Sequence, residues 1–178
     1  MAPQTATRMT LEEFLALPEE EYECAELIEG ELVLNPAPVF WHQIVAGNIY
    51  HAFRNNLTLH PIGKAIQAPA DVVLSQDTVV QPDVMLFLGE NLGTAQWKNA
   101  RRAPDLAVEV LSERNRKRDV VTKRRLYLQH GVQEMWIVDP EVRSVTIVRG
   151  GRDVAVTGAT TTPLLPNFAM PLHEVFAE

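Results

Sequence analysis

The 178-residue sequence contains a single cysteine, Cys24, which excludes an internal disulfide framework and a cysteine-based zinc cluster. It has no apolar run near the roughly 20 residues a membrane span needs. Its first residues, MAPQTATRMTLEEF, lack the basic-then-apolar order of a secretory signal. Internal repeats, low-complexity linkers and a glycine-rich phosphate loop are all missing, which removes P-loop chemistry from consideration. The expectation is one cytoplasmic globular domain spanning 1–178, with no membrane partner.

What is present is unevenly distributed. Net charge is −7, which argues against binding nucleic acid by bulk charge alone. Up to Glu31 the chain has nine carboxylates against Arg8 alone, whereas Lys98 to Arg125 holds ten of its sixteen Lys and Arg residues. Such a basic stretch, including Arg114, Arg116 and Lys117, is either a solvated helix face or the face that meets an anionic ligand.

Periodicity places the elements. Thr10 and Glu13 have capping-box spacing, and Met9 with Phe14 can form a hydrophobic staple, so a short helix starts there and ends before Pro18. Two apolar runs hinged at Gly30, within Glu26 to Leu34, predict a hairpin. Ile44, Ile49, Phe53 and Leu57 have helical spacing and predict a helix from Phe40 to about Leu59. Short strands follow at Ala65–Gln67, Asp71–Leu74 and Asp83–Leu88, with Ser75–Thr78 read as a turn. Leu106–Leu111 reads as a central strand covered on both sides, followed by a helix from about Arg116 to His130 and a buried strand at Met135–Val138. That strand–helix–strand unit implies a parallel pair with a right-handed crossover. Ser144–Val148 with Val154–Val156 forms a peripheral hairpin, and a short helix near Leu172–Phe176 closes the chain. The fold class is α/β or α+β, a mixed β-sheet flanked by helices.

Three polar residues interrupt apolar surroundings. Glu109 sits inside Leu106-Ala-Val-Glu-Val-Leu111, where a buried carboxylate needs a cation, a hydrogen-bond network or a raised pKa. The plain alternative is an exposed or salt-bridged edge position. Asp83 follows Pro82 at the mouth of a buried strand, a placement also common as a turn device. Lys123 shares one helical stripe with Val120 and Tyr127, and is the basic residue best placed to point back toward the sheet, the plain alternative being an amphipathic lysine that covers the helix edge; Asp119, four residues earlier, can hold its ammonium. Together the three supply the parts for phosphodiester hydrolysis: oxygen ligands for Mg²⁺ and a lysine to handle the attacking water or phosphate charge.

At these positions the sequence resembles the Uma2 family (DUF820), a branch of the PD-(D/E)XK restriction endonuclease-like superfamily. The matching pieces are Glu26-Leu-Ile-Glu-Gly-Glu-Leu32, His42, Val80-Gln-Pro-Asp-Val84, Ala103-Pro-Asp-Leu-Ala-Val-Glu-Val-Leu-Ser112, then Asp119, Lys123, Tyr127, Gly131-Val132 and Trp136-Ile-Val-Asp-Pro140. The resemblance implies an αβββαβ core, to which an N-terminal helix and hairpin and a C-terminal hairpin are added. It also implies Mg²⁺ (or Mn²⁺) at Asp83 and Glu109, and Lys123 as the catalytic lysine. Beside the resemblance, His42 reads either as a supporting proton carrier or phosphate contact or as a capping or surface residue, and Glu29 or Glu31 either as a third acid or as a solvated hairpin end. Nucleic acid, DNA first, is the expected partner, held by Arg114, Arg116 and Lys117, and a homodimer is compatible with superfamily habit. The alternative is a nuclease-fold module that binds nucleic acid or a protein without turnover. Two departures stand out: Leu111 occupies the position where the superfamily usually has its lysine, and Ser112-Glu-Arg-Asn115 replaces the family's usual Ser-Pro-Ser-Thr.

Overall fold

The computed structural model describes residues 8–18, 25–89, 99–113 and 116–178. Helix α1 (Leu11–Leu15) opens as the spacing predicts, with the Thr10 hydroxyl accepting from the Glu13 amide at 3.3 Å and Glu13 accepting from the Thr10 amide at 2.7 Å. Leu11 and Phe14 bury against Leu27 and Val79.

Strands β1 (Ala25–Ile28) and β2 (Glu31–Leu34) make the predicted hairpin. Glu29 and Gly30 form its turn with positive φ at both positions, 51° and 83°, a geometry that matches strand twist and that glycine adopts without strain. Helix α2 (Phe40–Leu59) turns Val45, Ile49, Phe53 and Leu57 into the core. Ile44, expected inward, is partly exposed, and its neighbour Val45 takes the core position.

The remaining strands are β3 (Gly63–Gln67), β4 (Val72–Ser75), β5 (Thr78–Val80), β6 (Val84–Leu88), β7 (Leu106–Val110), β8 (Glu134–Asp139), β9 (Ser144–Arg149), β10 (Arg152–Ala155), β11 (Ala159–Thr161) and β12 (Ala169–Pro171). Among the described residues the main sheet runs β10-β9-β8-β7-β6-β3. Its β7–β8 pair is parallel and its other pairs are antiparallel, as a single crossover requires. The crossover is helix α3, a π-helical turn over Arg118–Lys123 continuing as α-helix over Arg124–Gln129. A second sheet, β2-β1-β5-β4, contains Thr78–Val80 as a buried strand, so the turn expected at 75–78 is confined to Gln76 and Asp77. A short helix α4 (Leu172–Val175) follows β12.

Side chains alternate across the main sheet. Leu106, Val108 and Val110 face α2 and pack with Phe53, Trp136 and Phe168, whose rings meet at 5.2–6.1 Å between centroids. Ala107 and Leu111 face α3, with Met85, Leu126 and Tyr127. Glu109 shares that second face.

A candidate active site at the carboxylate cleft

The period of two that buries Val108 and Val110 on one face turns Glu109 toward α3, where its side chain is only 2% exposed. Lys123 reaches it from the π turn, with Nζ 3.0 Å from Oε2 and 3.2 Å from Oε1. The Tyr127 hydroxyl, one turn further on, donates to Oε1. Asp83, just before β6, accepts from the Val110 amide at 2.7 Å, which ties it to the strand carrying Glu109. His42, in the first turn of α2, places Nε2 3.4 Å from the same Asp83 oxygen. The sequence-predicted Asp83, Glu109, Lys123, Asp119 and His42 therefore all line one cleft of about 730 Å³.

Glu26 joins them although the sequence reading preferred Glu29 or Glu31. Its carboxylate lies 2.9 Å from Lys123 Nζ and accepts from the Gln81 amide at 2.7 Å and the Asn35 side-chain amide at 3.0 Å. Strand alternation accounts for this placement once the packing is known: Ala25 and Leu27 pack under α1, so Glu26 and Ile28 must face the other way, into the α3 side. Glu29 instead leaves the site at the hairpin turn and pairs with Arg125 at 2.6 Å on the surface. Glu31 is exposed.

The basic residues divide similarly. Arg116 lines the cleft but is engaged by Asp139 at 2.5 Å and Glu141 at 3.3 Å. Lys117 is exposed, and Arg114 lies outside the described residues. Arg118, which sequence reasoning passed over, enters the cleft and donates to the Asn35 side-chain oxygen at 2.5 Å.

Charge balance organises the cluster. Burial works to lower the Lys123 pKa, but the charges of Glu109, Glu26, Asp119 and Asp83 outweigh it and hold the ammonium well above its ordinary range. Burial raises Glu109 well above the usual carboxylate value, and Asp119, Asp83 and Glu26 push the same way against Lys123. Burial likewise raises Asp119, while Lys123 and Arg118 oppose the shift. For Glu26 burial is overcome by the Lys123 charge and by hydrogen bonds from Gln81 and Asn35, leaving it below the ordinary value. Burial and the Glu109 charge keep the Tyr127 hydroxyl protonated as a donor. At His42 burial favours the neutral ring, and the Asp83 hydrogen bond and charge prevail and raise its pKa.

The donor set is entirely oxygen, which suits a hard divalent cation. Asp119 Oδ1 is buried with no hydrogen-bond donor in range, and lies 3.7 Å from Lys123 Nζ. Among the described residues no three acidic or histidine side chains yet converge on a single point. The Lys123 ammonium stands between Glu26, Glu109 and Asp119.

An αβββαβ core with one acid at the mouth of β6, another within the adjoining β7 and a lysine arriving from the crossover helix defines a nuclease fold of the restriction endonuclease type. The chain belongs to the Uma2 family, described as "putative restriction endonuclease", whose model matches residues 11–173. Among solved structures it is similar to a "putative nuclease belonging to DUF820" from Anabaena variabilis ATCC 29413, with a TM-score of 0.82, 22% identity, and coverage of 95% of this chain and 98% of that one. No curated protein matches the chain. No helix among the described residues is long and apolar enough to cross a membrane.

Proposed function

We propose that the protein is a divalent-metal-dependent endonuclease that hydrolyses phosphodiester bonds of nucleic acid, DNA first. The observation that supports this best is the meeting of Asp83, Glu109, Lys123 and Asp119 in one cleft, with the buried Glu26 behind Lys123. Asp83 and Glu109 would hold Mg²⁺, with Mn²⁺ as a substitute; such an ion supplies Lewis acidity and a more acidic bound water. The raised Lys123 pKa favours a charged ammonium that balances phosphate charge and orients water over a lysine that removes a proton. Asp119 and Glu26 position that ammonium, Tyr127 fixes the Glu109 carboxylate, and His42 steadies Asp83 and can carry a proton. Arg116 and Arg118 line the cleft and are the cations placed for phosphate, Arg116 by exchanging Asp139 and Glu141; Lys117, exposed between them in sequence, and Arg114 belong with them by sequence. A cytoplasmic location and a homodimer accompany this reading, the latter open to light scattering.

Purified protein with Mg²⁺ or Mn²⁺ should cleave at least one of single-stranded, double-stranded or branched DNA, or RNA, and Glu109→Ala and Asp83→Ala should abolish cleavage. Failure on every substrate would sink the proposal. A second reading, a binding module without turnover, is favoured by Lys123 engaging both Glu109 oxygens. Calorimetry separates the two, because a module of that kind takes up no Mg²⁺.

A further inference from the structure

The Lys123 ammonium has three protons to donate and more than three acceptors around it. It engages Glu26 at 2.9 Å and both oxygens of Glu109, at 3.0 and 3.2 Å. A further acceptor, Asp119 Oδ1, is buried 3.7 Å from Nζ and takes no hydrogen bond among the described residues. Leaving a buried carboxylate oxygen in that state is costly, so its place in the site asks for a reason. Arg118 Nε lies 3.9 Å from the same oxygen and is also without a hydrogen bond, but its guanidinium is tied to Asn35 at 2.5 Å. A planar guanidinium held at one end closes on Asp119 only by giving up that bond. The flexible Lys123 stem needs to carry Nζ only about 1 Å, from 3.7 Å to the length of a charge-assisted hydrogen bond.

Glu109 has the converse difficulty. Tyr127 and Lys123 both donate to its Oε1, and Lys123 donates to Oε2 as well. A divalent cation on Oε2 would share that oxygen with an ammonium, and two positive charges at such a distance repel. With Nζ shifted to Asp119, Oε2 is released, Tyr127 keeps Oε1 in place, and Glu26 still holds the lysine.

Resting on the nuclease reading above, we propose that Lys123 has two stations: Glu26 with Glu109 before a divalent cation binds, and Glu26 with Asp119 once Glu109 Oε2 turns to the cation. Asp119 is then a positioning residue, which acts on the metal through Lys123 and not as a ligand. Its buried, unbonded oxygen is the second station.

The test titrates the full chain with Mn²⁺, reading free ion by electron paramagnetic resonance, in the parent, Asp119→Asn, Lys123→Met and the double variant. Asp119→Asn should weaken Mn²⁺ binding about tenfold, the worth of one charge-assisted hydrogen bond. Lys123→Met should bind Mn²⁺ tighter than the parent, because no ammonium competes. In that background Asp119→Asn should cost less than about threefold, since the residue it serves is gone. Equal losses in the two backgrounds overturn the proposal, because Asp119 then acts on the cation directly; unchanged binding in Asp119→Asn overturns it too. Crystals of the parent soaked in Mn²⁺ read the lysine without any variant. Nζ should lie within hydrogen-bond distance of Asp119 and off Glu109 Oε2, and an ammonium still on both Glu109 oxygens overturns the proposal. Mn²⁺ uptake with an unmoved lysine leaves the nuclease reading standing, whereas no Mn²⁺ uptake by any of the four proteins removes both.

Discussion

Replacing Lys123 by methionine keeps the length of the stem and deletes only the charge, so it isolates what the ammonium does. In the parent, Nζ lies 2.9 Å from Glu26, 3.0 Å from Glu109 and 3.7 Å from Asp119, with the residue 4% exposed. Removing one partner of a buried ion pair costs about 3–5 kcal/mol, because the remaining charge is left without compensation. Here two closely contacted carboxylates lose their cation together. For a chain of this size that corresponds to a fall in melting temperature of about 6–20 °C near neutral pH. The deficit must shrink in mild acid. Without Lys123 Glu109 rises further above its ordinary 4.5 and Glu26 loses the charge that holds it below that value, and a raised folded pKa gives stability that is full below the unfolded value and lost as pH rises. Scanning calorimetry across pH, together with the double variant Lys123→Met/Glu109→Gln, measures this. The double variant should recover part of the loss, since it removes one of the stranded charges. A single-variant shift below about 2 °C near neutral pH would refute the reasoning, because the ammonium would then not be balancing the buried acids.

Glu109→Gln should behave in the opposite way. Burial raises the folded pKa of Glu109, so its contribution to stability falls as pH rises above 4.5; the glutamine variant should melt at or above the parent near neutral pH and lose that advantage in acid, while cleavage disappears. Tyr127→Phe removes a hydrogen bond donated to a buried carboxylate and should cost about 1.5–3 kcal/mol by urea denaturation; no loss would mean the hydroxyl does not hold Glu109. Glu29→Ala breaks only the surface pair with Arg125, so metal binding by calorimetry and cleavage should both match the parent. A fall in metal affinity would restore Glu29 to the site.

Local pattern carried most of the main sheet. Capping chemistry placed α1, apolar spacing placed α2 over Phe40–Leu59, and the apolar run broken only by Glu109 placed β7 at the centre of the sheet. Lys123 was legible because one stripe contains it with Tyr127, and Asp83 because a carboxylate opens a buried strand. The second sheet was not legible. Thr78-Val-Val80 is too short to declare itself, and it is a strand because β1, some fifty residues earlier, lies beside it in the register Leu27 to Val79. Glu26 was missed for a related reason. Nothing near it in sequence tells which face of β1 is buried, and here both are. The basic stretch was legible only in outline, since a count of cations does not reveal which carboxylates the fold will set against them.

The π turn explains how a lysine carried on the next element, away from its usual place, still reaches the acid. In a regular α-helix at 100° per residue, Asp119 and Tyr127, eight residues apart, would diverge by about 80°. A π turn takes more residues to close, and over Arg118–Lys123 it swings the N-terminal part of α3 back, so that Asp119, Lys123 and Tyr127 are all buried toward β7. Leu111, two residues after Glu109 on the strand, faces the same side and is free to fill the core beneath α3. A lysine at that position would have had to bury its stem among Tyr127, Leu126 and Met135. Carrying the ammonium on the helix separates the two tasks: the strand supplies the acid and the packing, and the helix supplies the charge. It also makes the geometry of one irregular turn decide whether Lys123 meets Glu109, and through it whether the site exists.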